Sequence, residues 1–399
     1  MPRERDDLKV ELIDPVDGVL GVLDRFTSFE LSMDLEAPAQ ASFEIGDDGS
    51  YDQVGRFVQP GGRYKVTLNG TTVMIGTVET TDIPMDSQAG AVLRYVIRTS
   101  LSQAAYASAR PVSMTDATLG AFVGRLYEQL GLSQSDFIFR ASLARDLLTG
   151  ASKGSGKSAG SNDEVKLARY KLDAARVRPP ETIYNAADRH LRRFGLMHWD
   201  GPDGRIVIGA PNDRQEPTYT LSAFRGERSV RNNLISLSRT IDYSQVPSSV
   251  TVSGVGGGKD YSRSRVIGRA FDTDVGAAGL HHPVIVLAES IQNQAAADSA
   301  ARRELVSRSR NKDHLTAVLD GLSWWDTDNG RRVPWGVDTT ASVQSDLAGG
   351  DIGTYYVQSV SLRRDAIGGD VSTISLARQG AWTLEQELDD RPQLQGKKR

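Results

Sequence analysis

At 399 residues the chain exceeds what one compact core accommodates and is expected to divide into several domains. With 47 basic against 51 acidic side chains, the net charge of -4 gives no electrostatic case for nucleic acid or a membrane surface. A cysteine count of 0 excludes disulfides, thiolate metal sites and a cysteine nucleophile, and 5 histidines leave little for other metal chemistry.

The opening residues MPRERDDLKVEL are charged where a signal peptide needs an apolar run, and no stretch approaches the roughly 20 apolar residues of a membrane span. A soluble, unsecreted product is expected. FTSFELSMDLEAPAQASFEIG places Phe29, Leu31, Met33 and Leu35 on one face, breaks at Pro38 and resumes with Phe43 and Ile45, giving two strands. Tyr64, Val66 and Leu68 alternate with Lys65 and Thr67, then Asn69-Gly70 supplies a dipeptide that tolerates positive φ, and Val73, Ile75 and Val78 mark the returning strand. Leu93, Tyr95 and Ile97 continue the period, while Val92 and Val96 fill the other face, which predicts a strand covered on both sides. These strands have enough turns between them to curl into a small β-barrel over residues 1–108.

The period then changes. Leu119, Phe122, Val123, Leu126, Tyr127 and Leu130 follow helical spacing, with Thr115 or Asp116 as N-cap and Gly131 as terminator. A second helix follows Pro179-Pro180, its stripe being Ile183, Ala187, Leu191 and Phe194, and Gly195 ends it. LMHWDGPDGRIVIG reads as a hairpin turning at Asp200 to Gly204, so residues 109–215 are expected to form a two-helix α/β domain. Its low-complexity Gly/Ser/Lys tract, residues 147–163, is expected to be a mobile loop. Strands return at LISLSRTIDYS, SSVTVSGVGGG and VIGRAFD, and again at HLTAVLDGLSWW, TTASVQSDL, TYYVQSVSLRRD and DVSTISLARQGAW. A second β-barrel is therefore expected over residues 216–384, with a helix inserted at residues 289–310 and a polar, disordered tail over 385–399. The fold class is mainly β with an α/β part.

Each candidate for chemistry has a plainer explanation. Ala151-x4-Gly156-Lys157-Ser158 fits a loosened phosphate-binding pattern, but it follows no apolar strand and sits in the Gly/Ser tract. Asp326, Asp328 and Gly330 have part of the spacing of a calcium loop, yet Arg331 occupies the position where that loop needs glycine, so a polar turn is expected. His281 and His282, adjacent before Pro283, point to opposite faces of a strand and cannot share a metal. Arg302, Arg303, Arg308 and Arg310 lack interleaved aromatics and read as a solvated or interfacial helix face. Trp324, Trp325 and Trp335 are core or interface residues of the second β region. No G-x-S-x-G follows an apolar strand. Catalytic, cofactor and metal residues are all assigned as none.

The order of these segments resembles the baseplate hub proteins of contractile phage tails, of the phage Mu tail protein P type, related to the T4 hub and to the N-terminal part of type VI secretion spike proteins. The resemblance rests on FTSFELSMDLEAPAQASFEIG, on RYKVTLNGTTVMIGTV with VLRYVIRTSLSQAAY, on PPETIYNAADRHLRRFGLMHWDGPDGRIVIG, and on Asn233 to Gly254 with Ala295 to Trp382. Arg98-Thr99-Ser100-Leu101 departs from the family's usual Gly-Arg turn, and Leu147 to Asp163 looks like an insertion. The resemblance implies a homotrimer whose protomers carry two similar β-barrels, forming a pseudo-sixfold ring between a sixfold tail tube and a threefold spike. Its implied partners are the tail tube protein, the central spike protein and baseplate wedge proteins, with neither membrane nor sequence-specific nucleic acid. Its implied place is the virion tail baseplate, after assembly in the host cytoplasm. Two other readings stand beside it: the hub of a cellular contractile device or bacteriocin particle, and a tail-associated cell-wall hydrolase.

Overall fold

The computed structural model describes residues 5–14, 18–46, 58, 60–83, 85–86, 90–140, 171–226, 232–255, 265–288, 291, 294–326, 329–346 and 350–382. The expected hairpin is present: Arg63–Leu68 pairs with Thr71–Asp82, and Leu68 faces Thr71. Asn69 and Gly70 between them have φ of 52° and 76°, the two positive values of a type I′ turn. The strand Gly90–Arg98 lies between Thr71–Asp82 on one side and Gln40–Gly46 on the other. Leu93, Tyr95 and Ile97 are buried on one face, and Val92 and Val96 half-buried on the other, as their double apolar pattern requires.

Strands from the two β-rich ends of the chain pair with one another. Ser28–Asp34 pairs with Gln40–Gly46 along one edge and with Gly350–Asp365 along the other. That second ladder makes a 14-stranded sheet among the described residues. The long strand is shared: its first half pairs with Thr339–Ser345, its second half with Ser28–Asp34, and the register against Gly369–Arg378 shifts between Val357 and Ser359. One apolar interior follows, in which Leu31, Phe43 and Tyr95 join Leu315, Leu362 and Ile374. Sequence order could not show this, because a pairing between the ends of a chain leaves no local signal. Gly18–Leu23 and Leu234–Ile241 terminate the described strand path.

The α/β part contains both expected helices, Leu119–Tyr127 and Ile183–Arg193, packed through Phe122, Leu126, Ala187 and Leu191. The first is capped by Thr118, whose hydroxyl accepts from the Ala121 N–H at 3.1 Å, and not by Thr115 or Asp116. Those two residues lie in the strand Ser113–Thr118, which pairs with Lys171–Arg176. Leu130 falls in a 3-10 turn, Glu128–Leu130, ended by Gly131. A further helix, Ser100–Tyr106, and the strand Phe137–Arg140, parallel to Ile206–Gly209, complete the unit. The expected hairpin pairs Met197–Asp200 with Ile206–Gly209. Trp199, Met197 and Val207 bury against Leu35, Tyr356 and Trp382 and so fasten this unit to the large sheet.

Part of the stretch assigned to the second barrel leaves the large sheet altogether. Ser249–Val255 pairs antiparallel with Arg265–Phe271 and parallel with Pro283–Ala288, a three-stranded sheet of its own. The helix Gln294–Ser309 covers one face of it, burying Val250, Val252, Ala270, Ala297 and Ala301. Its alanines allow close approach, and Gly268 makes room beneath: a Cβ there would stand 2.0 Å from the Ala297 carbonyl oxygen.

Candidate functional site

Among the described residues, those singled out for chemistry do not converge on one site. Ala151, Gly156, Lys157 and Ser158 lie outside the described residues, as do Asp328, the 147–163 tract and the 385–399 tail. Asp326 is consumed by its own turn, accepting from the Asn329 backbone at 3.2 Å and from its side chain at 2.7 Å. His282 donates its N–H to the Ser248 hydroxyl at 2.9 Å and holds a loop. Among the described residues no group of His, Cys, Asp and Glu is placed to hold a metal ion. Arg308 pairs with Glu304 on the helix surface, as expected. Of the two expected roles, solvated or interfacial, Arg310 has the second: it is buried, ion-paired with Glu36, and stands 4.3 Å over the Trp382 ring. Trp335 belongs to the core and Trp324 packs on Tyr219, whereas Trp325 is exposed.

The buried polar groups act as joints between elements. Asp200, at the end of its strand, accepts from the Ala39 N–H at 2.8 Å and from the Thr99 hydroxyl at 2.9 Å. It ties the hairpin of the α/β unit to the first β region, and burial pushes its carboxyl up to about 7 despite both bonds. Asp338 accepts from the Tyr356 hydroxyl and the Arg140 guanidinium, each at 2.7 Å, and from the Asn212 N–H at 2.9 Å. Asp6 takes bonds from Leu322, Ser323, Asn69 and Arg332. Burial raises its carboxyl, but those donors together outweigh it and hold the group below its ordinary range. His198 and His190 are pushed down to about 3 and about 4, by burial first, so both are neutral imidazoles. A surface cavity of about 640 Å³ lies beside the helix Leu119–Tyr127. Glu128 is the carboxylate of its lining, is ion-paired with Arg125, and has no histidine beside it in that lining. This arrangement can hold elements together.

What the chain does present is apolar surface on strand edges. Val19, Leu20 and Val22 are exposed on Gly18–Leu23, Ile235 and Ile241 on Leu234–Ile241, and Phe271, Ile285 and Leu287 on the three-stranded sheet. Natural sheets normally blunt such edges with charge or proline, and Gly18–Leu23 has neither.

No protein-family model and no curated protein matches the sequence. Solved structures do. A tail protein from Neisseria meningitidis MC58 superposes with a TM-score of 0.72 at 19% identity, over 96% of this chain and 99% of that one. The 43 kDa tail protein of prophage MuSo2 from Shewanella oneidensis gives 0.69 at 14% identity, over 96% and 100%. The chain has the fold of phage tail proteins. A third structure with this tail-protein fold is E. coli c3393, a type VI secretion component described as similar to the T4 tail proteins gp27 and gp5, at a TM-score of 0.50 and 9% identity, over 90% and 75%. Within the tail-protein fold of the present chain, the exposed strand edges are the feature that sequence reading missed. PVIVLA is not among the strands expected from the sequence, and nothing in its composition says that one face is open.

Proposed function

We propose that the chain is the structural hub of a contractile tail: a threefold ring that seats the sixfold tail tube on one side and the threefold central spike on the other. The observation that carries this reading is the fold likeness to two tail proteins over almost the whole of both chains. Three further features support it. The buried carboxylates are spent on joints between elements and not on a cleft. The two end strands of the large sheet differ from one another and expose apolar side chains, and unlike edges favour heterologous contacts, which close into rings. Obligate contacts of this kind bury more than about 2,000 Å² and are apolar at the centre. The role is structural and not enzymatic, carried out in the virion tail with tube, spike and wedge proteins as partners. On this reading the working parts are a first β unit (1–108), an α/β unit (109–215) and a second β unit (216–384). Mixing the purified chain with tube and spike proteins from the same gene cluster tests the proposal: co-migration with both supports it, and binding to neither contradicts it. The likeness to c3393 keeps a cellular contractile device as the second reading, and neighbouring genes for toxin loading would favour it.

A further inference from the structure

The three-stranded sheet has one face without a cover. Along Pro283–Ala288, Val284 and Val286 point to the helix Gln294–Ser309, which leaves Ile285 and Leu287 on the far side, 74% and 78% exposed. The ladders fix what stands beside them. Thr251 and Arg269 lie in register with Ile285, Ser253 and Ile267 with Leu287, and Ser249 and Phe271 with Pro283. The open face is thus apolar along its rim, carries hydroxyls down its middle strand, and has an exposed cation, Arg269. A mixed sheet can leave one face to water where that face is polar, but Ile285, Leu287 and Phe271 make this one apolar. The face therefore reads as half of an interface.

We infer that this face receives the edge strand Gly18–Leu23 of a neighbouring copy of the chain, an inference that rests on the ring reading above. That strand offers matching chemistry: Val19, Leu20 and Val22 are each at least half exposed, none of its residues is charged, and the exposed Asp24 follows it with a carboxylate for Arg269. The other exposed edge, Leu234–Ile241, fits less well because Arg239 stands between Ile235 and Ile241, and seating that strand would bury its ion pair with Asp313. The two surfaces are different patches of one chain, so the contact is heterologous and repeats from copy to copy until the ring closes.

Sedimentation velocity on the full chain tests this with two variants, both at exposed positions where folding is not at stake: Ile285→Asp with Leu287→Asp, and separately Leu20→Asp. The wild type is expected at three times the 43.3 kDa chain mass and each variant at one. An equimolar mixture of the two variants is expected at twice the chain mass, because the intact strand of one still fits the intact face of the other. A wild-type trimer whose variants remain trimeric overturns this inference while leaving the ring reading standing. Monomeric variants that fail to pair in the mixture overturn it as well, since the two patches are then not each other's partners. A monomeric wild type overturns the ring reading, and this contact with it.

Discussion

Leu31 stands directly opposite Leu362 in the ladder between Ser28–Asp34 and Gly350–Asp365, and both side chains are buried. The contact joins the first β region to the last, so their apolar interiors form one cluster. Leu31→Ala is expected to lower stability by about 2–5 kcal/mol, as deletion of a well-packed leucine does. Because the interior is shared, fluorescence from the tryptophans of the second β region should report the same denaturant midpoint as far-ultraviolet circular dichroism. Separate midpoints, with only one shifted by the substitution, would mean that the two regions fold independently.

Gly70 occupies a turn position at φ 76°, and a Cβ there would touch nothing within 4 Å. The cost of a side chain is therefore conformational and not steric crowding. Gly70→Val is expected to cost one to a few kcal/mol, about the strain of a β-branched residue at positive φ, and to lower the melting temperature. Gly70→Asn should lower it much less, since asparagine tolerates the left-handed region.

Asp200 makes stability depend on pH. Its folded value, about 7, lies above the ordinary carboxylate value, so the folded state holds the proton more tightly than the unfolded chain. The contribution is fully present below about pH 4 and is lost as pH rises through 7. At about 1.4 kcal/mol per unit the loss is at most about 4 kcal/mol. His190 and His198, held neutral, act in the opposite direction, losing stability as pH falls below the ordinary histidine value. Asp200→Asn keeps an oxygen for both Ala39 and Thr99 and removes the titration. Between pH 5 and pH 8 the unfolding free energy in urea should change more favourably, by about 2–3 kcal/mol, for the variant than for the wild type; equal changes would mean that Asp200 is not the group responsible.

Lys157→Ala is expected to change neither melting temperature nor association, because the phosphate-binding pattern around it lacks the buried strand that such a loop must follow. ATP binding by the wild type that the substitution abolishes, measured by calorimetry, would contradict this.

Much of the fold was legible because its signals are local. The alternation of Tyr64, Val66 and Leu68, the Asn69-Gly70 turn, and the stripes through Phe122 and Leu191 each lie within one element. The strand Ser113–Thr118 escaped because SMTDAT is polar, and it is held by pairing with Lys171–Arg176, which is distant in the chain. The three-stranded sheet escaped for a different reason: SVTVSGV has the same alternation whether its partner belongs to a barrel or to a separate sheet. The joints were the least legible part. Nothing near Asp200 in the sequence names Ala39 or Thr99, and the burial of Arg310 depends on Glu36 and Trp382, which are distant from it in the chain.

The proposed threefold ring carries a tube on one face and a spike on the other. Multi-angle light scattering of the purified chain, alone and then with its tube and spike proteins, tests it most directly. The mass of three chains is expected for the protein alone, with a further increase on adding each partner. A stable single-chain mass unchanged by either partner would contradict it.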